Sequence, residues 1–233
     1  MFTQIKKLFT TKNEVMEIDQ ELNTSILSDN TLEPSATPIE NNTDYLFTAP
    51  EIAGWLSTQE QEILFGALLL FYNKTQSILD VGCARCDLYG YMKRLNLLTD
   101  TGSLYKGIDY NQNLLNIASQ KFENINVECV DILNDKSDAK FDWVIASGLF
   151  NVNNQSDMSS YTIQCIDQMY NKANVAVAFN LLTDYPEDLA QSDIETLYKH
   201  DAAKWLSYLI DTYTKVICRA DYMAGDVTFF ILK

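Results

Sequence analysis

From Tyr45 onward the apolar positions fall into alternating helical and extended periods. Ser57-Thr58-Gln59-Glu60 reads as a capping box, in which Ser57 and Glu60 satisfy each other's backbone amides, and it predicts a helix over about 58–73. The β-rich run Ser77 to Val81 follows and stops at Gly82. A helix is predicted from Asp87 to Leu95, a strand from Leu104 to Ile108, and a helix whose apolar face carries Leu114, Ile117, Ala118 and Phe122. Asn126 to Val130 and Phe141 to Ala146 read as strands. Met158, Tyr161, Cys165 and Met169 mark a helical face, and Asn174 to Phe179 a further strand. After a helix carrying Trp205, Leu209 and Tyr213, the segments Lys215 to Tyr222 and Asp226 to Leu232 are joined only by Met223-Ala224-Gly225. That link is too short for a crossover helix, so the two must pair as a hairpin. The pattern predicts an α/β fold: a doubly wound, mostly parallel, seven-stranded Rossmann-like sheet with an antiparallel C-terminal β-hairpin.

Residues 1–44 break from this pattern. They are rich in Thr, Asn, Ser and Glu, carry Pro34 and Pro38 and have few aromatics, so they offer little apolar area to offset the entropy of ordering. A short helix over Glu14 to Ile26 would have little to pack against. The expected organisation is a disordered acidic tail over 1–44 and one domain over 45–233. Phe229, Phe230 and Ile231 read as core, and the Trp55, Leu56, Phe65 cluster as packing on the sheet edge rather than as a lid.

Composition narrows the partners. With 47% apolar and 12% aromatic residues the chain can fill a core. Its 32 acidic residues against 17 basic ones leave a charge of -15, which disfavours nucleic acid as a partner. The only dibasic pairs are Lys6-Lys7 and Lys93-Arg94. The longest apolar run, Ile63 to Tyr72, falls short of the ~18 residues needed to cross a bilayer, so no membrane role is expected. The first residues lack the apolar stretch of a secretory signal, and the cytoplasm is the expected compartment. The five cysteines, 83, 86, 129, 165 and 218, sit mostly in apolar segments and are expected to be reduced and unpaired.

In a doubly wound sheet the ligand lies at the carboxyl ends of the strands. Here those ends are Asp80 to Asp87, Asp109, Asp131, Ser147 to Asn151, and Asn180, and three of them open with a carboxylate. Cys83-x-x-Cys86 lacks the second cysteine pair or nearby histidine that zinc requires, and its context is not that of a redox pair, so it reads as loop filler. His200 is the only histidine; a histidine so placed, just before Asp201 and the Trp205 helix, more often caps or faces solvent than moves protons.

Leu79-Asp80-Val81-Gly82-Cys83-Ala84-Arg85-Cys86-Asp87-Leu88, followed by Gly107-Ile108-Asp109-Tyr110, resembles the first two nucleotide-site motifs of class I S-adenosylmethionine-dependent methyltransferases. Cys129-Val130-Asp131-Ile132 is similar to that family's third strand end, Phe141 to Gly148 to its fourth, and the terminal hairpin to its last two strands, so the resemblance covers about 57–233. It implies S-adenosylmethionine (SAM) as cofactor. Asp80 would lie near the ammonium end, Gly82 and Cys83 in the loop against the methionine moiety, and Asp109, 27 positions beyond Gly82, on both ribose hydroxyls. Asp131 would take the adenine amino group, Tyr110 and Ile132 would cover the ring, and Ser147 would face the methionyl part. The chain departs from the family's three alternating glycines by carrying Ala84 and Cys86, and a side chain at positive φ at position 86 costs on the order of 1 kcal/mol. The resemblance implies methyl transfer to a small molecule or a protein side chain. No metal and no particular catalytic base are indicated; Asn151, Asn180, Tyr185 and Tyr222 are candidates for the acceptor pocket, and the oligomeric state is open. Two alternatives stand beside it: a SAM-binding or partner-binding module without turnover, and an NAD-dependent oxidoreductase, against which the terminal hairpin counts.

Overall fold

The computed structural model describes residues 57–99, 104–184 and 196–233. The expected tail over 1–44, together with Trp55, Leu56 and Tyr185, lies outside the described residues.

Helix α1 (Thr58–Leu68) starts where the Ser57 hydroxyl accepts the Glu60 amide at 3.2 Å. It ends five residues short of the predicted boundary at 73. Turns replace it: the Asn73 side chain accepts both the amide and the hydroxyl of Thr75, and the Gln76 amide reaches the Asn73 carbonyl. Such local bonds compete with helix continuation. Strand β1 (Ile78–Val81) then enters the sheet, followed by α2 (Asp87–Arg94), β2 (Tyr105–Asp109), α3 (Gln112–Lys121), β3 (Val127–Cys129), a single 3-10 turn (Ile132–Asn134), β4 (Phe141–Ala146), α4 (Met158–Lys172), β5 (Ala173–Leu182), α5 (Ala202–Tyr213), β6 (Val216–Arg219) and β7 (Asp226–Leu232).

The sheet has seven strands in the order β3-β2-β1-β4-β5-β7-β6. β1, β2, β3, β4 and β5 run parallel, and β7 pairs antiparallel with both β5 and β6. The predicted hairpin is present. β5 is longer than the segment 174–179 expected from its apolar residues because its register with β7 continues from Ala176 opposite Leu232 to Leu182 opposite Asp226. β6 is shorter than 215–222, ending where Arg219 turns to pair with Asp221.

Apolar side chains alternate between the two faces of the sheet. One face packs Leu79, Val81 and Ile108 against α4 (Cys165, Ile166, Met169) and α5 (Trp205, Leu209, Tyr213). The other packs Ile78, Tyr105 and Trp143 against α1 (Phe65, Leu68), α2 (Leu88, Tyr89, Met92) and α3 (Leu115, Ala118). The carboxyl ends of β1, β2, β4 and β5 therefore share one rim. Because β7 runs the other way, its first residue, Asp226, comes to that same rim.

Candidate functional site

The loop after β1 builds the middle of the rim. The amides of Gly82 and Cys83 both bond to the Ile108 carbonyl, at 2.8 and 3.1 Å, which folds the loop toward β2. Three loop residues take positive φ: Gly82 at 70°, Ala84 at 48° and Cys86 at 59°. At Gly82 glycine is also needed for space, since a Cβ there would lie 2.8 Å from Leu149 Cδ1. Ala84 and Cys86 carry the strain expected from the missing glycines. Cys86 has a compensation: its side chain is fully buried, and both its thiol and that of Cys83 seat on β2 where Gly107 lacks a side chain. A Cβ at 107 would stand 2.7 Å from Cys83 Sγ and 3.2 Å from Cys86 Sγ. The hydrogen bond to Cys86, and then burial, hold the Cys83 thiol well above its ordinary pKa, so it is neutral and unsuited to nucleophilic or metal chemistry. The five cysteines are free thiols, three of them buried, with Cys129 and Cys218 exposed.

Asp80 lies in β1 with its side chain on the α1–α3 face, where the Tyr105 hydroxyl donates to its Oδ2 at 2.6 Å. Burial raises its pKa to about 7; the Tyr105 bond opposes the rise, and the nearby carboxylates of Asp109 and Asp87 add to it. Asp109 closes β2. Its Oδ2 accepts the Ala84 amide and its Oδ1 the Asn111 amide, each at 2.8 Å, so one carboxylate ties the β1 loop to the start of α3. Burial raises its pKa as well, against those backbone bonds. Asp131 accepts the Leu133 amide at 2.9 Å and caps the 3-10 turn. Tyr110 is exposed, while Ile132 is buried in the α4–α5 core. The Ser147 hydroxyl oxygen is buried and has no hydrogen-bond partner among the described residues.

Between these groups lies a small cleft of about 40 Å³, lined by Gln61, Phe65, Asp80, Gly82, Cys83, Ala84, Asp87, Leu88 and Ser147. Sequence reasoning missed part of this wall. Asp87, the first residue of α2, holds Arg85 Nε and Lys121 Nζ at 2.7 Å and Gln61 Nε2 at 3.2 Å. The Arg85 side chain is almost wholly buried, which an ion pair makes tolerable. An Arg two residues before an Asp at a helix start was the available signal. Phe65 contributes to the cleft as well as to the core, so both readings of its cluster meet in one residue.

The segment after β4 forms the far wall and is tied by side-chain bonds to residues later in the chain. Gly148, at φ 72°, gives its amide to Asn180 Oδ1 at 2.8 Å. Asn151 Oδ1 accepts the Leu182 amide at 2.9 Å. His200 corrects the expectation of a cap or surface residue. It is buried, and Asp201 is the cap of α5. Its Nδ1 accepts the Trp205 indole N–H at 3.0 Å, so Nε2 must donate to the Phe150 carbonyl at 2.8 Å. Burial lowers its pKa, and both nitrogens are committed, which leaves no lone pair for a proton-transfer role. Asn180, Tyr222 and Asp226 form a connected group: Asn180 Nδ2 donates to Asp226 Oδ2 at 2.9 Å, and the Tyr222 hydroxyl to Oδ1 at 2.6 Å. Burial raises the Asp226 pKa to about 7.

The fold is that of the class I S-adenosylmethionine-dependent methyltransferases, as solved structures show. The magnesium protoporphyrin IX methyltransferase of Synechocystis PCC 6803, with bound SAM, matches 87% of this chain and 100% of its own at a TM-score of 0.53 and 13% identity. The N-methyltransferase NodS of Bradyrhizobium japonicum WM9, in complex with S-adenosyl-L-homocysteine (SAH), matches 92% and 97% at 0.51 and 16% identity. The plantazolicin methyltransferase BpumL, in complex with a monoazolic desmethyl analogue and SAH, matches 99% of both chains at 0.51 and 16% identity. No protein-family model matches the chain, and no curated protein sequence matches it.

Proposed function

We propose that the rim of β1, β2 and β4 binds S-adenosylmethionine and that the protein is a methyltransferase acting on a small molecule or a protein side chain. The observation that carries this is the Asp109 carboxylate, buried at the end of β2 and tied to the β1 loop through the Ala84 amide. Each of its oxygens keeps a further lone pair, and together they offer two acceptors to a ribose diol. The residues around it fit the rest of the cofactor. Asp80 provides an acceptor for an ammonium, the Ser147 hydroxyl, without a partner among the described residues, a polar group beside the methionyl part, and Tyr110 an open aromatic face for adenine, with Asp131 next to it. Ile132, buried in the core, adds apolar floor rather than cover. The cleft beside Asp80 and Ser147, bounded by Gln61 and Phe65 of α1, would take the amino-acid end of the cofactor. The bound sulfonium supplies an activated methyl group. The chain's own part is to align donor and acceptor and exclude water; nothing demands covalent work from a side chain.

The alternatives carry less. A nicotinamide enzyme of the kind that uses a Tyr-x-x-x-Lys pair would draw on Tyr89 and Lys93, the one such spacing in α2. Tyr89 is buried against Tyr105 and Phe122 while Lys93 is exposed. A module without turnover draws on the strain at Ala84 and Cys86; the seating of Cys86 on Gly107 offsets it at position 86. The free thiols suit a reducing compartment such as the cytoplasm. The charge of -15 sets the surface against anionic acceptors, nucleic acid included.

Calorimetric titration tests the reading. SAM binds and NAD does not, and Asp109→Ala weakens SAM by roughly 1–3 kcal/mol, the penalty for leaving buried hydroxyls unpaired. Binding of NAD in place of SAM overturns it.

A further inference from the structure

The wall formed by Ser147 and Gly148 has no helix or strand of its own. It is held from outside, and the holder is two bonds long. Gly148 sits in the left-handed region and its amide is aimed at Asn180 Oδ1. Asn180 is fully buried in β5, directly opposite Thr228 of β7. A primary amide turned by 180° would present N–H groups to the Gly148 N–H and lose the bond. Something must fix which way Asn180 faces.

We propose that Asp226 is a positioning residue of the donor site: by accepting from Asn180 Nδ2 it orients the Asn180 amide, and so fixes the Ser147–Gly148 turn against the cleft. The proposal rests on the methyltransferase reading for the identity of the ligand, though not for the geometry.

The local chemistry makes the orientation stable in both charge states of Asp226. Ionised, it accepts from Asn180 at Oδ2 and from Tyr222 at Oδ1. Protonated at Oδ1, it donates to the Tyr222 oxygen instead, and the Tyr222 O–H rotates to donate a hydrogen bond to Thr228 Oγ1, 2.7 Å away, with no proton transferred. Oδ2 remains an acceptor for Asn180 throughout. Tyr222 and Thr228 thus act as a rotatable hydroxyl relay that absorbs the change. The charge of Asp226 is therefore dispensable; its acceptor oxygen is not.

Three variants test this: Asp226→Leu, which is similar in size and has no acceptor; Asp226→Asn, which keeps one oxygen for Asn180 and can donate to Tyr222; and Asn180→Ala, which removes the Gly148 partner outright. Measured on the full chain are the hydrogen-exchange rate of the Gly148 amide, the exchange of β5 and β7 core amides, and the Kd for SAM. Asp226→Leu and Asn180→Ala are expected to speed Gly148 exchange by tenfold or more while the core amides of both strands stay protected. They should also weaken SAM by roughly tenfold, the worth of about one hydrogen bond. Asp226→Asn is expected to stay within about twofold of wild type in both. Unchanged Gly148 exchange in Asp226→Leu, or Asp226→Asn as damaging as Asp226→Leu, overturns the proposal. If Asp226→Leu does not fold, Asn180→Ala and Asp226→Asn decide it by the same readouts. Failure of the wild type to bind SAM would count against the functional reading alone, because the exchange measurement needs no ligand.

Discussion

At the scale of single residues, burial at the rim works against the charge of Asp80, Asp109 and Asp226. Asp80 is the clearest case. Its folded pKa is about 7, raised chiefly by burial, against about 3.9 for an unfolded aspartate. Folding therefore favours the protonated form, and the stability Asp80 contributes is complete below about pH 4 and lost as pH rises through about 7. A bound ammonium reverses the preference by favouring the carboxylate. SAM affinity should accordingly rise between pH 6 and 8, with proton release on binding below pH 7, and Asp80→Asn should bind more weakly with a flatter profile. Calorimetry in buffers of different ionisation enthalpy reads this directly; a pH-independent wild-type affinity would separate Asp80 from the ligand. The carboxylates at 80, 109 and 131 were legible in the sequence because strand ends are where a short polar residue follows a buried apolar run. The roles of Cys83 and Cys86 were not. Their thiols turn to Gly107, a residue far along the chain, and only the fold shows that the missing glycine at position 86 is offset by packing on β2.

At the scale of elements, strands and helices were legible where period and caps agreed, as at Ser57 ahead of α1 and Asp201 ahead of α5. Ends set by partners were not. β5 runs on to Leu182 because β7 lies beside it, and α1 stops at Leu68 because Asn73 and Gln76 close turns behind it. His200 belongs to this scale, since it bolts α5 to the segment after β4. Replacing it by Ala leaves the Trp205 indole N–H and the Phe150 carbonyl unpaired in a buried cavity, which should cost about 2–4 kcal/mol in denaturant unfolding. As the ring is neutral in the fold, with its pKa lowered by burial, its contribution is present above pH 7 and lost as the unfolded chain takes up a proton below about 6.5. A loss that grew with pH would contradict the neutral tautomer assigned here.

At the scale of the whole molecule, one strand order brings everything that matters to one rim. Five parallel strands deliver their carboxyl ends there, and the reversed β7 adds Asp226, a residue that sequence alone placed in a hairpin and nowhere near a site. The chain's net charge of -15 weakens its attraction for polyanions. Among the described residues no helix is long and apolar enough to cross a membrane. The crystal structure of the protein with SAH tests the account most directly. It should show the ribose hydroxyls on the Asp109 carboxylate, the amino-acid end beside Asp80 and Ser147, and the adenine against Tyr110. A nucleoside bound elsewhere, or this rim without ligand at saturating concentration, would contradict it.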